Sequence, residues 1–326
     1  MLKLFGKSMV LQVAAIIAAT LLLWVRPLLA PPVMAADTGD GILFGLITEW
    51  LQPMPLLAVI TAIILVVAGG VVLNLMLADV GLTPQTSLLP TLLYIIAMSA
   101  PATTLTPPML ANLALMACAN QLLLRGTLLT VPTSKICNAT ALIGLASMFY
   151  TPAIAMVAFY LLIVISYRLY NWRDWAALLL GLAAPYIILA AVLFMADGLG
   201  LWWQQAMDSF DGLRIGTADG AAVAAGAVLA VIMVASLFAL WGRLGENIVV
   251  WQKNATVVML LFVGGIATSL CSQVFPVNFG WYAISFALCG THLFTPSQSR
   301  HKPTKKIYGW LLDALFIITL ASALLC

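Results

Sequence analysis

The run LLAVITAIILVVAGGVVLNLMLA, residues 56–78, decides the fold of this chain. It contains no charged residue, and a helix of this length is long enough to cross the roughly 30 Å hydrocarbon core of a bilayer. Ten further apolar segments can be marked in the same way. They lie at about 8–29, 87–100, 107–124, 136–149, 152–169, 175–196, 220–241, 255–272, 277–294 and 307–325. We expect all of them to be helical, because lipid offers no partner to unpaired backbone groups.

Lysine and arginine fall almost entirely in every second gap between these segments. Only Arg26 and Arg214 of the 14 basic residues lie in the other gaps. The remaining twelve are Lys3, Lys7, Arg125, Lys135, Arg168, Arg173, Arg243, Lys253, Arg300, Lys302, Lys305 and Lys306. Most acidic residues lie instead in the other set of gaps, at Asp37, Asp40, Glu49, Asp197, Asp208, Asp211 and Asp219. Loops rich in lysine and arginine stay cytoplasmic, so the pattern predicts 11 crossings with the N-terminus inside and the C-terminus outside.

The composition agrees with a single integral membrane domain over residues 1–326. The chain is 63% hydrophobic and 8% charged, whereas soluble domains carry about 25% charged residues. We therefore predict an all-α, polytopic transmembrane bundle, with membrane lipids as partners and no nucleic-acid partner. The basic side should attract anionic headgroups.

Three segments are short for a crossing, at 87–100, 136–149 and 277–294. Residues 136–169 can be read as two crossing helices or as one element broken at Thr151-Pro152, because proline disfavours helix at the residue before it. Two helices keep the later basic loops on the same side as Lys3. We therefore count two, with the single broken element as the alternative.

Two loops on the outer side are long. In the first, Ile42 to Leu51 is predicted to form a short helix lying in the membrane interface. In the second, Trp202-Trp203 is typical of an interfacial anchor. Lys3 and Lys7, followed by an apolar run and Val33-Met34-Ala35, also resemble a cleaved signal. We favour a retained first helix, because its apolar run is long enough to span.

No sequence motif for catalysis, nucleotide binding or metal binding is present, and the sequence points to no particular cofactor. Polar residues inside the segments are therefore the next candidates. Asn112 and Asn120 are eight residues apart and share a broad helix face, which could line a substrate cavity or make interhelical hydrogen bonds. Asp313 is an acidic residue that lies deep within a predicted segment. We expect it either to pair with a basic residue or to take part in proton-coupled transport.

The most specific hypothesis about catalysis concerns Asp37 and Asp40. Both lie in the first outer loop, where a carboxylate could accept the proton of an attacking hydroxyl. Enzymes that use a polyprenyl-linked sugar donor place a carboxylate base just outside the membrane. In that hypothesis, Arg173 or Lys135 lies near a phosphate on the cytoplasmic side. The alternative is that the two acids are simply solvated.

Several stretches carry a resemblance. They are Leu73-Asn74 with Asp79 and Leu82, Ser87 through Tyr94, Pro108 through Asn112, Ser147 through Tyr150 with Pro152, and Asn171-Trp172-Arg173-Asp174-Trp175 leading to Gly181 and Pro185. Together they resemble an uncharacterised bacterial family of polytopic inner-membrane proteins, a domain of unknown function. The resemblance implies an envelope membrane protein and transfers no catalytic residue. In plan alone, the chain is also similar to C-class polyprenol-dependent glycosyltransferases.

Three functional hypotheses follow. The first is a cell-envelope enzyme that handles a polyprenyl-phosphate-linked glycan, with Asp37 or Asp40 as base. The second is a transporter or lipid flippase whose path is lined by Asn112, Asn120 and Asp313. The third is a structural or assembly subunit of an envelope complex, whose protein partners the sequence does not identify.

Overall fold

The computed structural model describes residues 9–32, 41–83, 87–99, 104–125, 131–166, 171–195, 198–208, 220–242, 244–246, 249–271, 279–294 and 302–325. These residues form α-helices joined by loops and two short 3-10 turns, and no strand occurs among them. The helices are α1 (Met9–Leu23), α2 (Val25–Leu29), α3 (Ile42–Leu51), α4 (Pro55–Asp79), α5 (Leu89–Ser99), α6 (Pro107–Leu122), α7 (Thr133–Phe149), α8 (Met156–Ser166), α9 (Trp172–Met195), α10 (Leu199–Asp208), α11 (Gly220–Trp241), α12 (Val249–Cys271), α13 (Phe279–Phe294) and α14 (Lys302–Leu325).

The all-α prediction is confirmed for the described residues, and every apolar segment predicted from the sequence contains helix. The segment at 8–29 is divided into α1 and α2, and the one at 152–169 begins with a 3-10 turn before α8. The short helix predicted at Ile42 to Leu51 is α3, with those same bounds. Two helices, α4 and α9, are by themselves long and apolar enough to cross a membrane. Most of the others are shorter apolar helices within the described residues.

Residues 136–169 contain two helices. The 3-10 turn Thr151–Ala155 separates α7 from α8, and Pro152 occupies its start. The Tyr160 hydroxyl on α8 donates a hydrogen bond to the Ile136 carbonyl on α7 over 3.2 Å. Since Ile136 lies near the beginning of α7, α8 must run back along it. The pair is a helical hairpin interrupted at Thr151-Pro152, and the crossing of the membrane by each of its helices stays a prediction.

Helix α5 is the centre of the bundle. All of its residues, Leu89–Ser99, are buried, and it contacts α1, α4, α13 and α14. On one side, the Thr91 hydroxyl donates to the Gly70 carbonyl of α4 over 3.0 Å. Because neighbouring helices enclose this element, it needs no long lipid-facing surface. That enclosure explains how so short a segment can be part of the bundle.

Polar contacts fix the relative direction of α1 and α5. The Gln12 side-chain oxygen accepts the Leu88 backbone N–H over 2.9 Å, next to the start of α5. The Trp24 indole N–H donates to the Ser99 hydroxyl over 2.9 Å, at the end of α5. The two helices are therefore parallel. Gln12 and Ser87 both supply acceptors at the start of α5, where the Ser87 hydroxyl accepts the Leu89 N–H over 3.4 Å, since the first N–H groups of a helix have no intrahelical acceptor.

Helices α7 and α9 are also parallel and are in close contact through small residues. The Thr133 hydroxyl donates to Asp174 over 2.6 Å at their starts, and Ser147 meets the Tyr186 hydroxyl near their ends. Between these points, a Cβ at Gly181 would overlap the Thr140 hydroxyl oxygen and the Cys137 carbonyl. Small residues permit this approach of two helix backbones, as is common in membrane helix pairs.

We expect Gly181→Ala to destabilise the protein by about 2 kcal/mol, because the added methyl must push α7 and α9 apart. The measurement is thermal unfolding of the purified protein in mild detergent. Gly45→Ala on α3 is the matched control, since nothing lies within 4 Å of a Cβ at that position. Equal melting temperatures for the two variants would contradict the close α7–α9 contact.

Candidate functional site

The loop predicted to be the first outer loop is bounded by two contacts with the bundle. Before it, Trp24, fully buried, binds Ser99 at the end of α5. Within it, the Gly41 backbone N–H donates to the Phe149 carbonyl over 3.0 Å at the end of α7. Asp37 and Asp40 lie between these anchors in sequence and outside the described residues.

Glycine is required at the second anchor. A Cβ at Gly41 would overlap the Met148 carbonyl, so a larger residue could not approach α7 this closely. Asp40 is bonded directly to Gly41, and consecutive Cα atoms are about 3.8 Å apart. The contact thus ties the acid-bearing loop to the end of α7.

Hydroxyl and aromatic side chains cluster at the same end of α7. Ser147 donates to the Gly144 carbonyl over 2.6 Å and lies 2.5 Å from the Tyr186 hydroxyl of α9, which then acts as donor to Ser147. The Tyr186 and Trp202 ring centroids are 6.4 Å apart, and Trp203 packs edge-on to Trp202 at 6.3 Å. These groups combine apolar faces with hydrogen-bonding atoms, as a site for a sugar or a lipid headgroup requires.

Asn112 and Asn120 occupy different environments on α6. Asn112 has 0% exposure; its amide donates to the Met98 sulfur over 3.5 Å, and its side chain hydrogen-bonds Tyr94 of α5. Asn120 is half-buried and accepts a hydrogen bond from Arg125 over 2.6 Å. The first residue joins two helices inside the bundle, and the second orients a cation at the end of α6. Their predicted role in binding substrate stays a prediction.

Arg173 and its neighbour Asp174 face opposite ways at the start of α9. Arg173 is exposed, and its guanidinium lies 6.0 Å from the centre of the Trp172 ring. Asp174 has 4% exposure and accepts the Thr133 hydroxyl. This buried pair holds the starts of α7 and α9 together. It gives the Asn-Trp-Arg-Asp-Trp stretch a structural role that the sequence did not reveal.

Sequence reasoning also missed Asn254, which is fully buried on α12. Its side-chain oxygen accepts the Leu124 N–H over 2.8 Å, and its amide donates to the Leu124 carbonyl over 3.0 Å. The partner is 130 residues away, so no local signal marks this contact. Among the described residues, no group of three or more His, Cys, Asp or Glu could hold a metal ion.

In comparisons with protein-family models, curated proteins and solved structures, none matches this chain. The resemblance to a bacterial inner-membrane family therefore stays a prediction. So does the likeness of plan to polyprenol-dependent glycosyltransferases.

Proposed function

We propose that this chain is a multi-pass protein of a bacterial inner membrane, with 11 crossings, that acts on a lipid-linked sugar at the outer face during envelope biogenesis. The observation that carries the membrane part is the exposure of α9. Only 11% of its apolar window is buried, against 39% for α4. An apolar helix in the core of a soluble protein would be mostly buried, and α9 is far from the N-terminus, where a signal sequence would lie. Lipid is the solvent that fits this surface.

The side chains of α9 support this reading. Leu179, Leu180, Ile187 and Ile188 are each more than 60% exposed, on a helix that is apolar over almost its whole length. Leaving apolar area in water costs about 25 cal/mol per Å². A hydrocarbon environment removes that cost without any partner protein.

Helix directions support the count of crossings. If every segment crosses, the first, third, fifth and seventh segments must run the same way. Helix α1 is parallel to α5, and α7 is parallel to α9, as this requires. Neighbours in sequence, such as α7 and α8, run in opposite directions.

Exposed tryptophans add a second line of support. Trp50 and Trp203 lie at ends predicted to be outside, and Trp172, Trp241 and Trp310 lie near ends predicted to be cytoplasmic. Tryptophan concentrates at both membrane interfaces, where one part of its ring is in hydrocarbon and the other meets water. This distribution fits helices that start and stop at the headgroup layers.

The chemical part rests on the first outer loop. The described residues on either side of its acids, Trp24 and Gly41, bind the ends of α5 and α7, and Ser147, Tyr186 and Trp202 cluster at that same end of α7. We assign to Asp37 or Asp40 the proton of an acceptor hydroxyl. The hydroxyl oxygen forms a bond to the sugar's anomeric carbon, and the bond to the polyprenyl phosphate oxygen breaks with its electron pair leaving on the phosphate. Transport through Asn112 is favoured less, because that side chain is sealed against α5.

Identification of bound lipids tests this proposal. We expect protein purified in mild detergent to retain a polyprenyl phosphate or its sugar-linked form, detected by mass spectrometry after extraction. An unrelated multi-pass protein from the same membrane, purified in parallel, controls for bulk carry-over. If both preparations contain the same lipids in the same proportions, the lipid-linked substrate is wrong.

A further inference from the structure

Two cations meet in a shallow depression between the end of α6 and the start of α7. Gln121, Arg125 and Lys135 line it, together with the apolar side chains of Leu123, Leu124 and Val131. We propose that this depression binds a phosphate group, presented either by a phospholipid headgroup or by free phosphate. It lies at the opposite end of α7 from the Gly41 anchor, so its cations can be tested separately from the acids of the outer loop, and it gives Lys135 the place near a phosphate that the sequence hypothesis assigned to Lys135 or Arg173.

Arg125 is held in one orientation with donors to spare. One of its terminal nitrogens, Nη2, is 2.6 Å from the Asn120 side-chain oxygen and 3.5 Å from an Asp79 carboxylate oxygen. Within the described part of the chain, neither Nε nor Nη1 has a partner. Its side chain is 44% exposed, so a ligand can reach it. A fixed guanidinium whose Nε and Nη1 are bound by no described residue matches the geometry of phosphate oxygens.

The backbone beside Arg125 is fixed by a distant helix. Asn254 of α12 forms two hydrogen bonds to Leu124, one to its N–H and one from its amide to the carbonyl. Because this amide is fully buried, the contact excludes water and sets the position of the next residue. A site whose groups are already in place has less ordering to do when its ligand arrives.

Lys135 supplies the second charge from the first turn of α7. The helix starts after Pro132, and its first N–H groups have no intrahelical acceptor, which gives this end a partial positive charge. Lys135 is half-buried and makes no ion pair or hydrogen bond with another described side chain. Among the residues that line the depression, two are cations and none is a carboxylate, and the Asp79 carboxylate lies 3.5 Å from Arg125 alone, so the depression keeps a net positive charge. A bound phosphate would neutralise that charge.

Binding to the full-length protein in mild detergent, after removal of co-purified lipid, tests the proposal. The probes are phosphatidylglycerol in mixed micelles and inorganic phosphate, each titrated separately. Binding of the lipid alone assigns the site to a headgroup, and binding of both assigns it to free phosphate as well. Binding of neither overturns the proposal.

Variants locate the binding. We expect Arg125→Gln and Lys135→Gln each to weaken it about tenfold, the usual effect of losing one charge-assisted contact. Arg26→Gln is the comparison, since it removes the same charge from an exposed arginine of α2 that does not line the depression. If Arg26→Gln weakens binding as much as Lys135→Gln does, the attraction is general to the surface and the proposed site is wrong. Lys135→Gln breaks no side-chain hydrogen bond or ion pair among the described residues, so it keeps the test valid if Arg125→Gln fails to fold.

Discussion

Replacing the aspartate proposed as the catalytic base of the first outer loop with asparagine is expected to lower sugar transfer by about a hundredfold or more. Asparagine keeps the size of aspartate but cannot take up the proton of the attacking hydroxyl, and loss of general base catalysis typically costs 10² to 10⁴ in rate, by order of magnitude. Asp37→Asn and Asp40→Asn are measured separately. The measurement is release of polyprenyl phosphate from its sugar-linked form by purified protein in detergent.

Glu49→Gln is the matched control for both variants. Glu49 lies on α3 in the same outer loop and is exposed, so its loss removes one outer acid without touching the segment between the anchors. We expect this variant to keep normal transfer, and all three variants to melt like the unchanged protein. Normal transfer by both aspartate variants would exclude either acid as the base and leave them as solvated residues.

The sequence was sufficient to predict the helices because their causes are local. An uncharged apolar run long enough to cross lipid has helix as its stable backbone arrangement, and α4 and α9 show that pattern most fully. Pro152 disfavours helix in the residue before it, so the separation of α7 and α8 could also be predicted from the sequence. The same holds for α3, which lies between Gly41 and the turn before Pro55.

The site contacts could not be predicted, because each joins residues far apart in sequence. Ser147 and Tyr186 are 39 residues apart, and Trp24 and Ser99 are 75 apart. A serine or a tryptophan inside an apolar segment shows nothing by itself about the helix it will face. The pattern on α6 misleads for the same reason: Asn112 and Asn120 share a face, yet one meets α5 and the other meets Arg125.

The gap pattern of basic residues makes the most decisive prediction, because its outcome is all or none. With 11 crossings and the N-terminus inside, a protease-cleavable tag at the C-terminus is expected to be cut by protease added to intact spheroplasts. The same tag inserted within residues 209–219 is expected to be cut as well. Inserted within residues 126–130, beside Arg125, it should be cut only after the membrane is opened.

The three tags together also show where the map fails, if it fails. With the N-terminus inside, a C-terminus protected in intact spheroplasts means an even number of crossings. If the tag at 209–219 is still cut in that case, the miscount lies among α11 to α14, where the basic residues cluster around residues 300–306. If it is protected too, the miscount lies earlier, although α1 and α5 are parallel and α7 and α9 are parallel. An error before residue 30 would move Asp37 and Asp40 to the cytoplasm, and the outer-face chemistry would be excluded with it.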